Sequence, residues 1–330
     1  MIRYPRAPGV VLTLLGFLLV SSVSVVHAQA AAGGLTYLEP GQPPAMIHPT
    51  VQDSLRVRQS GAASPTIDLY YHGGIGGIGV ETAPKIYLVF WGSQWNSNDP
   101  SGETSILQNF YNGVGGSSWL NSVIQYCQGV ATGTFYCRGA GHPAGNPSHI
   151  LAGVWHDNTS ASPSSPGQSQ FASEAVRAAH HFGNATAESN ASVHYVIATA
   201  HRVVPPGFGT QYCAYHSSTS STVGFVAYTN LPYITDAGFS CGANFNGLGP
   251  KAGITIVGGH EMGETITDQF PNGGWLDSNL AENGDKCAWI PSGHQGAAAN
   301  ITLSTGTFPV QSLWSNAFNS GAGGCVLKYP

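Results

Sequence analysis

The chain has 330 residues, 8% of them charged, with 44 glycines, six cysteines and a formal charge of −5. An acidic chain this poor in lysine and arginine lacks the basic surface that nucleic acid requires, which excludes that partner. Its surface must be wetted by neutral polar side chains and exposed backbone, a composition common in exported proteins.

Residues 1–30 carry Arg3 and Arg6, an apolar run from Val10 to Val20 and the small residues Ala28 and Ala30, the order of a secretory signal peptide. Ser21, Ser22 and Ser24 interrupt the run before it reaches the ~20 apolar residues of a spanning helix. Cleavage near Ala30 is expected to leave nine basic residues against sixteen acidic ones, a charge of −7 and no membrane segment. The mature protein is then secreted, extracellular or periplasmic. Residues 31–66, with Pro40, Pro43, Pro44 and Pro49, read as a linker or a short pro-segment. Residues 67–330 suffice for a single globular domain.

Within that domain Lys85 to Trp91 is a continuous apolar, β-branched and aromatic run, the pattern of a buried strand. Ser101 to Gln128 reads as helix in two pieces, broken at Gly113, Gly115 and Gly116. Further strands are predicted at His149 to Trp155, Val193 to Ala200 and Val223 to Thr229. A helix from Ser169 to Phe182 carries Phe171, Ala175, Val176 and Ala179 on one face. Another is expected from Ala252 to Thr267, although each interior glycine costs about 1 kcal/mol relative to alanine. Gly258 and Gly259 therefore require close packing or a bound ion to hold it. Two last strands fall at Ile301 to Thr305 and Val310 to Trp314. Strands alternating with helices predict an α/β fold, with α+β as the alternative: a mixed, mostly parallel sheet covered by helices.

Six cysteines in an exported chain favour disulfides. No CxxC pair supports a thiolate metal site. Fifteen pairings are possible. Sequential pairing, Cys127 with Cys137, Cys213 with Cys241 and Cys287 with Cys325, is expected because short loops close most readily.

Acids are scarce, yet Glu261, Glu264, Asp268, Asp277, Glu282 and Asp285, six of sixteen, fall within 25 residues. Like charges repel, and a bound cation is the economical reason to gather them. On a helix His260 and Glu264 lie one turn apart on the same face and can converge on one ion. Glu261 is turned about 100° from His260 and can reach the ion's open position without being a ligand. Glu282 is the candidate third ligand, with Asp285 bracing the loop or orienting His260 and Asp277 in reserve. Asp268, just past the helix, suits a local turn or cap. Tyr215 and His216, beside Cys213, are candidates to stabilise an oxyanion.

The segment His260-Glu261-Met262-Gly263-Glu264 resembles the HExxH helix of zincin metallopeptidases, with Glu264 in place of the second histidine. A downstream glutamate as third ligand resembles the gluzincin pattern. The resemblance implies Glu261 as general base and a divalent ion, zinc first, with Mn²⁺ or Ca²⁺ as alternatives. Two carboxylates and one imidazole cancel the ion's charge, making it a weaker Lewis acid than in a two-histidine site. Tyr70-Tyr71-His72-Gly73-Gly74, the run Ile86 to Gly92 and the segments Gly274 to Asp277 and Glu282 to Trp289 resemble the phosphate-induced, EXORDIUM-like secreted proteins and their bacterial relatives. The plant members imply a cell-wall setting without a settled reaction.

Two function classes follow. One is a secreted metal-dependent hydrolase acting on a peptide or protein substrate. The other is a non-catalytic extracellular protein that binds cell-wall polysaccharide, with a structural ion or none, using exposed aromatics among Trp91, Trp95, Trp119 and Trp155.

Overall fold

The computed structural model describes residues 1–2, 34–59 and 68–329. Its central sheet has seven strands, here β1 (Gly34–Thr36), β2 (Ala45–His48), β3 (Lys85–Trp91), β4 (Leu151–Asp157), β5 (Val193–Thr199), β6 (Ala214–Ser221) and β7 (Gly224–Leu231). Their order across the sheet is β1-β2-β6-β7-β5-β3-β4. The block β7-β5-β3-β4 is parallel, and β6, β2 and β1 continue it in antiparallel pairs. This is the mixed α/β architecture expected from alternating strands and helices.

The parallel strands β3 and β5 are apolar almost throughout and buried on both faces, as covered parallel strands must be. Of the principal helices, α1 spans Val51–Gln59, α2 Glu103–Val114, α3 Gln168–His181 and α4 Ala252–Thr267. Helix α3 buries Phe171, Ala175 and Ala179 on one face of the sheet. Helix α4 lies on the opposite face with α2 and the hairpin Ala299–Leu303/Gly306–Val310 around it.

All sixteen residues of α4 are buried. Its glycines explain how a helix of poor propensity fits there. A Cβ on Gly253 would stand 1.8 Å from the Cys241 carbonyl oxygen, and Gly259 lies against the rings of Phe110 and Trp119. Packing of a wholly buried helix replaces the missing propensity.

One expectation about the chain's N-terminal part changes, and one lies outside the described residues. The signal peptide falls almost wholly on residues 3–33, outside the described residues, as does the 60–67 boundary. Residues 34–59, read as linker or pro-segment, instead supply β1, β2 and α1, with Ala45 to His48 paired to Ser217 through Ala214. The proline-rich composition of this stretch hid a four-residue strand too short to show a period.

The disulfides are Cys127–Cys137, Cys213–Cys241 and Cys287–Cys325, the sequential pairing. They indicate folding in an oxidising compartment. Among the described residues no helix is long and apolar enough to cross a membrane.

Candidate metal centre

Helix α4 places His260, Glu261 and Glu264 against the sheet face that carries β6 and β2. His260 Nε2 stands 3.0 Å from Glu264 Oε1, one helical turn away. The turn after Glu282 closes over them. The Asp285 backbone N–H donates to Glu264 Oε1 at 2.8 Å, and Asp285 Oδ1 lies 3.8 Å from His260 Nε2. Gly284 is tight here: a Cβ would come within 2.8 Å of both Glu264 Oε1 and His260 Nδ1. The turn is held by Cys287–Cys325, by the Gln311 side-chain amide donating to Gly284 O, and by Trp314 N–H donating to Asn283 O.

His260, Glu264 and Asp285 form one group whose donor atoms lie within 4.8 Å of one another. Glu282, expected as third ligand, is not in that group: its carboxyl lies beside that of Glu264, with Oε2 3.5 Å from His216 Nε2. The difference is one of loop geometry: the Asp285 carboxylate caps the Glu282 backbone N–H and returns toward His260. His216 and Glu282 group with Asp268, and His216 also groups with Glu261 and Glu264.

His216 reaches this cluster because β6 alternates its faces. The same alternation removes Tyr215, which points to the α3 side and packs against Phe171 and Tyr212. Asp277 is also removed as a reserve ligand. It accepts the N–H groups of Asn279 and Ala281 and pairs with Lys286 Nζ at 3.0 Å. Asp268 accepts the N–H groups of Asn272, Gly273 and Gly274, closing the end of α4.

Burial dominates the electrostatics. It lowers the His216 and His260 pKa values to about 3, so both rings are neutral, the form that ligates metal. It raises Glu264 to about 8 and Asp268 to about 7. Glu261, Glu282 and Asp285 are also raised, by burial first and then by neighbouring carboxylates. Among the described residues, both ring nitrogens of His216 and His260, both carboxylate oxygens of Glu261 and Glu282, Glu264 Oε2 and Asp285 Oδ1 have no hydrogen-bond partner in the protein. A buried polar atom left unpaired costs about 1–3 kcal/mol, more when charged. So many in one place fit a bound cation. These buried His, Glu and Asp groups could hold a metal ion.

Several neighbours carry no signal in the sequence. His48 of β2 meets His260 edge to face, and Gln311 Oε1 lies 3.2 Å from His48 Nε2. His194 of β5 holds both oxygens of Glu81 at 3.0–3.1 Å through Nδ1. The Tyr111 hydroxyl donates to Gly258 O. Each arrives from a distant segment by strand order or helix packing, and none stands at a recognisable ligand spacing. Of the tryptophans considered as a sugar platform, Trp91, Trp95 and Trp119 are buried, and Trp155 stacks on His181. Strand and helix packing bury the first three, and Trp155 stays half-buried.

Comparison of the chain with protein-family models, with curated proteins and with solved structures gave no match, so the reading of this centre rests on its own geometry.

Proposed function

We propose that this protein is an exported metal-dependent hydrolase, a peptidase by its resemblance to zincins, with His260, Glu264 and Asp285 as the protein ligands of a divalent ion. Zinc suits an imidazole with two carboxylates, and Mn²⁺ is the harder alternative. The bound ion would supply Lewis-acid polarisation of the scissile carbonyl and of water.

The observation that carries this reading is Glu261. It follows His260 directly, is wholly buried, and has both carboxylate oxygens without a protein partner. A carboxylate left free beside a ligand group, with burial raising its pKa, is equipped to take a proton from water and pass it to a leaving amine. His216 Nδ1 lies 3.9 Å from Glu261 Oε2, beyond hydrogen-bond distance, which leaves that carboxylate free.

One observation favours a second reading. His260, Glu261, Glu264 and Glu282 all have 0% exposure. A closed centre of this kind also suits a structural ion in a non-catalytic cell-wall protein, which the EXORDIUM-like resemblance allows.

Metal analysis with a peptide-library digest separates the two. The hydrolase reading expects stoichiometric metal and cleavage that falls at least 10²-fold in Glu261→Gln while metal is retained. A metal-free wild type, or full activity in Glu261→Gln, overturns it. Metal without cleavage, together with retention on a wall polysaccharide, selects the second reading.

A further inference from the structure

The donor set is larger than one ion can use. Two imidazoles and five carboxylates, Glu261, Glu264, Asp268, Glu282 and Asp285, lie together at no more than 4% exposure. They divide into two groups with no shared residue, His260 with Glu264 and Asp285, and His216 with Asp268 and Glu282. Glu264 links them, because it also groups with His216 and Glu261.

A single ion in the first group leaves the second without compensation. Both ring nitrogens of His216 and both oxygens of Glu282 are buried and have no protein hydrogen-bond partner among the described residues. His216 sits in a regular strand, paired with Met46 and Thr229, and its Nε2 stands 3.5 Å from Glu282 Oε2. Asp268 is held in place by its three backbone donors while one of its oxygens remains within 4.8 Å of donor atoms of His216 and Glu282.

We infer that His216, Glu282 and Asp268 form a second divalent-cation site beside that of His260, Glu264 and Asp285, with Glu264 as the carboxylate between them. The inference rests on the metal reading above and extends it from a mononuclear to a dinuclear centre. It takes a borderline or hard divalent cation such as Zn²⁺ or Mn²⁺, because the donors are one imidazole and two carboxylates. It also gives His216 a role as ligand that its position next to Cys213 did not suggest.

Full-length protein is stripped with chelator, reconstituted with Zn²⁺, desalted, and its metal measured by mass spectrometry alongside Glu282→Gln, His216→Gln and His260→Gln. Two ions per chain in the wild type, with loss of at least one in Glu282→Gln and in His216→Gln, supports the second site. One ion in the wild type overturns it while leaving the mononuclear reading intact, and none overturns both readings. Two ions that persist in Glu282→Gln and His216→Gln place the extra ion elsewhere and overturn the inference. Should those variants not fold by near-ultraviolet circular dichroism, titration of stripped wild type with Co²⁺ decides. Ligand-field absorbance that saturates at two equivalents supports the second site, and saturation at one overturns it.

Discussion

His48 and His260 meet with ring centroids 3.8 Å apart and planes at 87°, so strand β2 closes directly over helix α4 and its candidate metal centre. His48 also engages Gln311, whose amide holds Gly284 in the turn that carries Asp285. Truncating His48 to alanine leaves a buried cavity and strips Gln311 Oε1 of a partner, at a cost of about 2–4 kcal/mol. Denaturant unfolding should show that loss. Deleting residues 34–49 removes the strand paired with β6 and should abolish the cooperative melt. An unchanged melt would return this stretch to the status of a removable pro-segment.

Metal removal should lower the melting temperature reversibly. An ion at a free concentration a thousandfold above its Kd stabilises the fold by about 4.1 kcal/mol. For a domain of this size that corresponds to a shift on the order of 10 °C. Differential scanning calorimetry before chelation, after it and after Zn²⁺ is restored measures the change, and an identical melt in all three excludes a folding-linked ion.

The metal-free protein should lose stability as pH rises above 6.5. Glu264 and Asp268 have raised folded pKa values, about 8 and about 7. Their stabilisation is present at low pH and is lost as pH climbs from the usual carboxylate range through those values. His216 and His260 act oppositely. Their lowered values mean that stability is lost as pH falls from about 6.5 toward 3. The two effects oppose each other between about 4.5 and 6.5, and only the carboxylates remain above that. Saturating metal should flatten the part of the alkaline decline due to the centre, leaving the part due to Glu103 and Glu174, both raised to about 8 by burial outside it. Melts from pH 5 to 8.5 with and without metal test the sign.

Two glycine substitutions in α4 should behave differently. Gly253→Ala drives a methyl to 1.8 Å from a backbone carbonyl that cannot step aside, and should cost about 3 kcal/mol or more. Gly263→Ala meets the tips of the Leu313 side chain at 2.9–3.0 Å. A rotamer shift can relieve that contact, and the gain of about 1 kcal/mol in helix propensity offsets it. Paired urea unfolding curves should rank the two variants in that order.

The sequence by itself determined what local pattern and charge economy can determine. The run from Lys85 to Trp91 is β3 residue for residue, and Ala252 to Thr267 is α4 at the same bounds. Buried strands and wholly buried helices announce themselves through continuous apolar composition. The cysteine pairing followed from loop closure, and the density of acids marked the segment that supplies the buried carboxylates gathered around His260. Helical spacing placed His260 beside Glu264.

Tertiary structure decided the remainder, because it depends on contacts between segments far apart in the chain. Whether Asp285 or Glu282 faces His260 is fixed by the turn around Gly284, where glycine alone lets the backbone approach the imidazole. His216 entered and Tyr215 left because strand alternation sends neighbours to opposite faces, and β6 carried no clear period in its polar sequence. His48 and His194 became neighbours of the centre only through strand order, and Glu81 through a loop that bonds to His194 and to the Ile266 carbonyl. The site read from the sequence as His260, Glu264 and Glu282 with Glu261 beside them is thus part of a buried pool of two histidines and five carboxylates, assembled by the sheet.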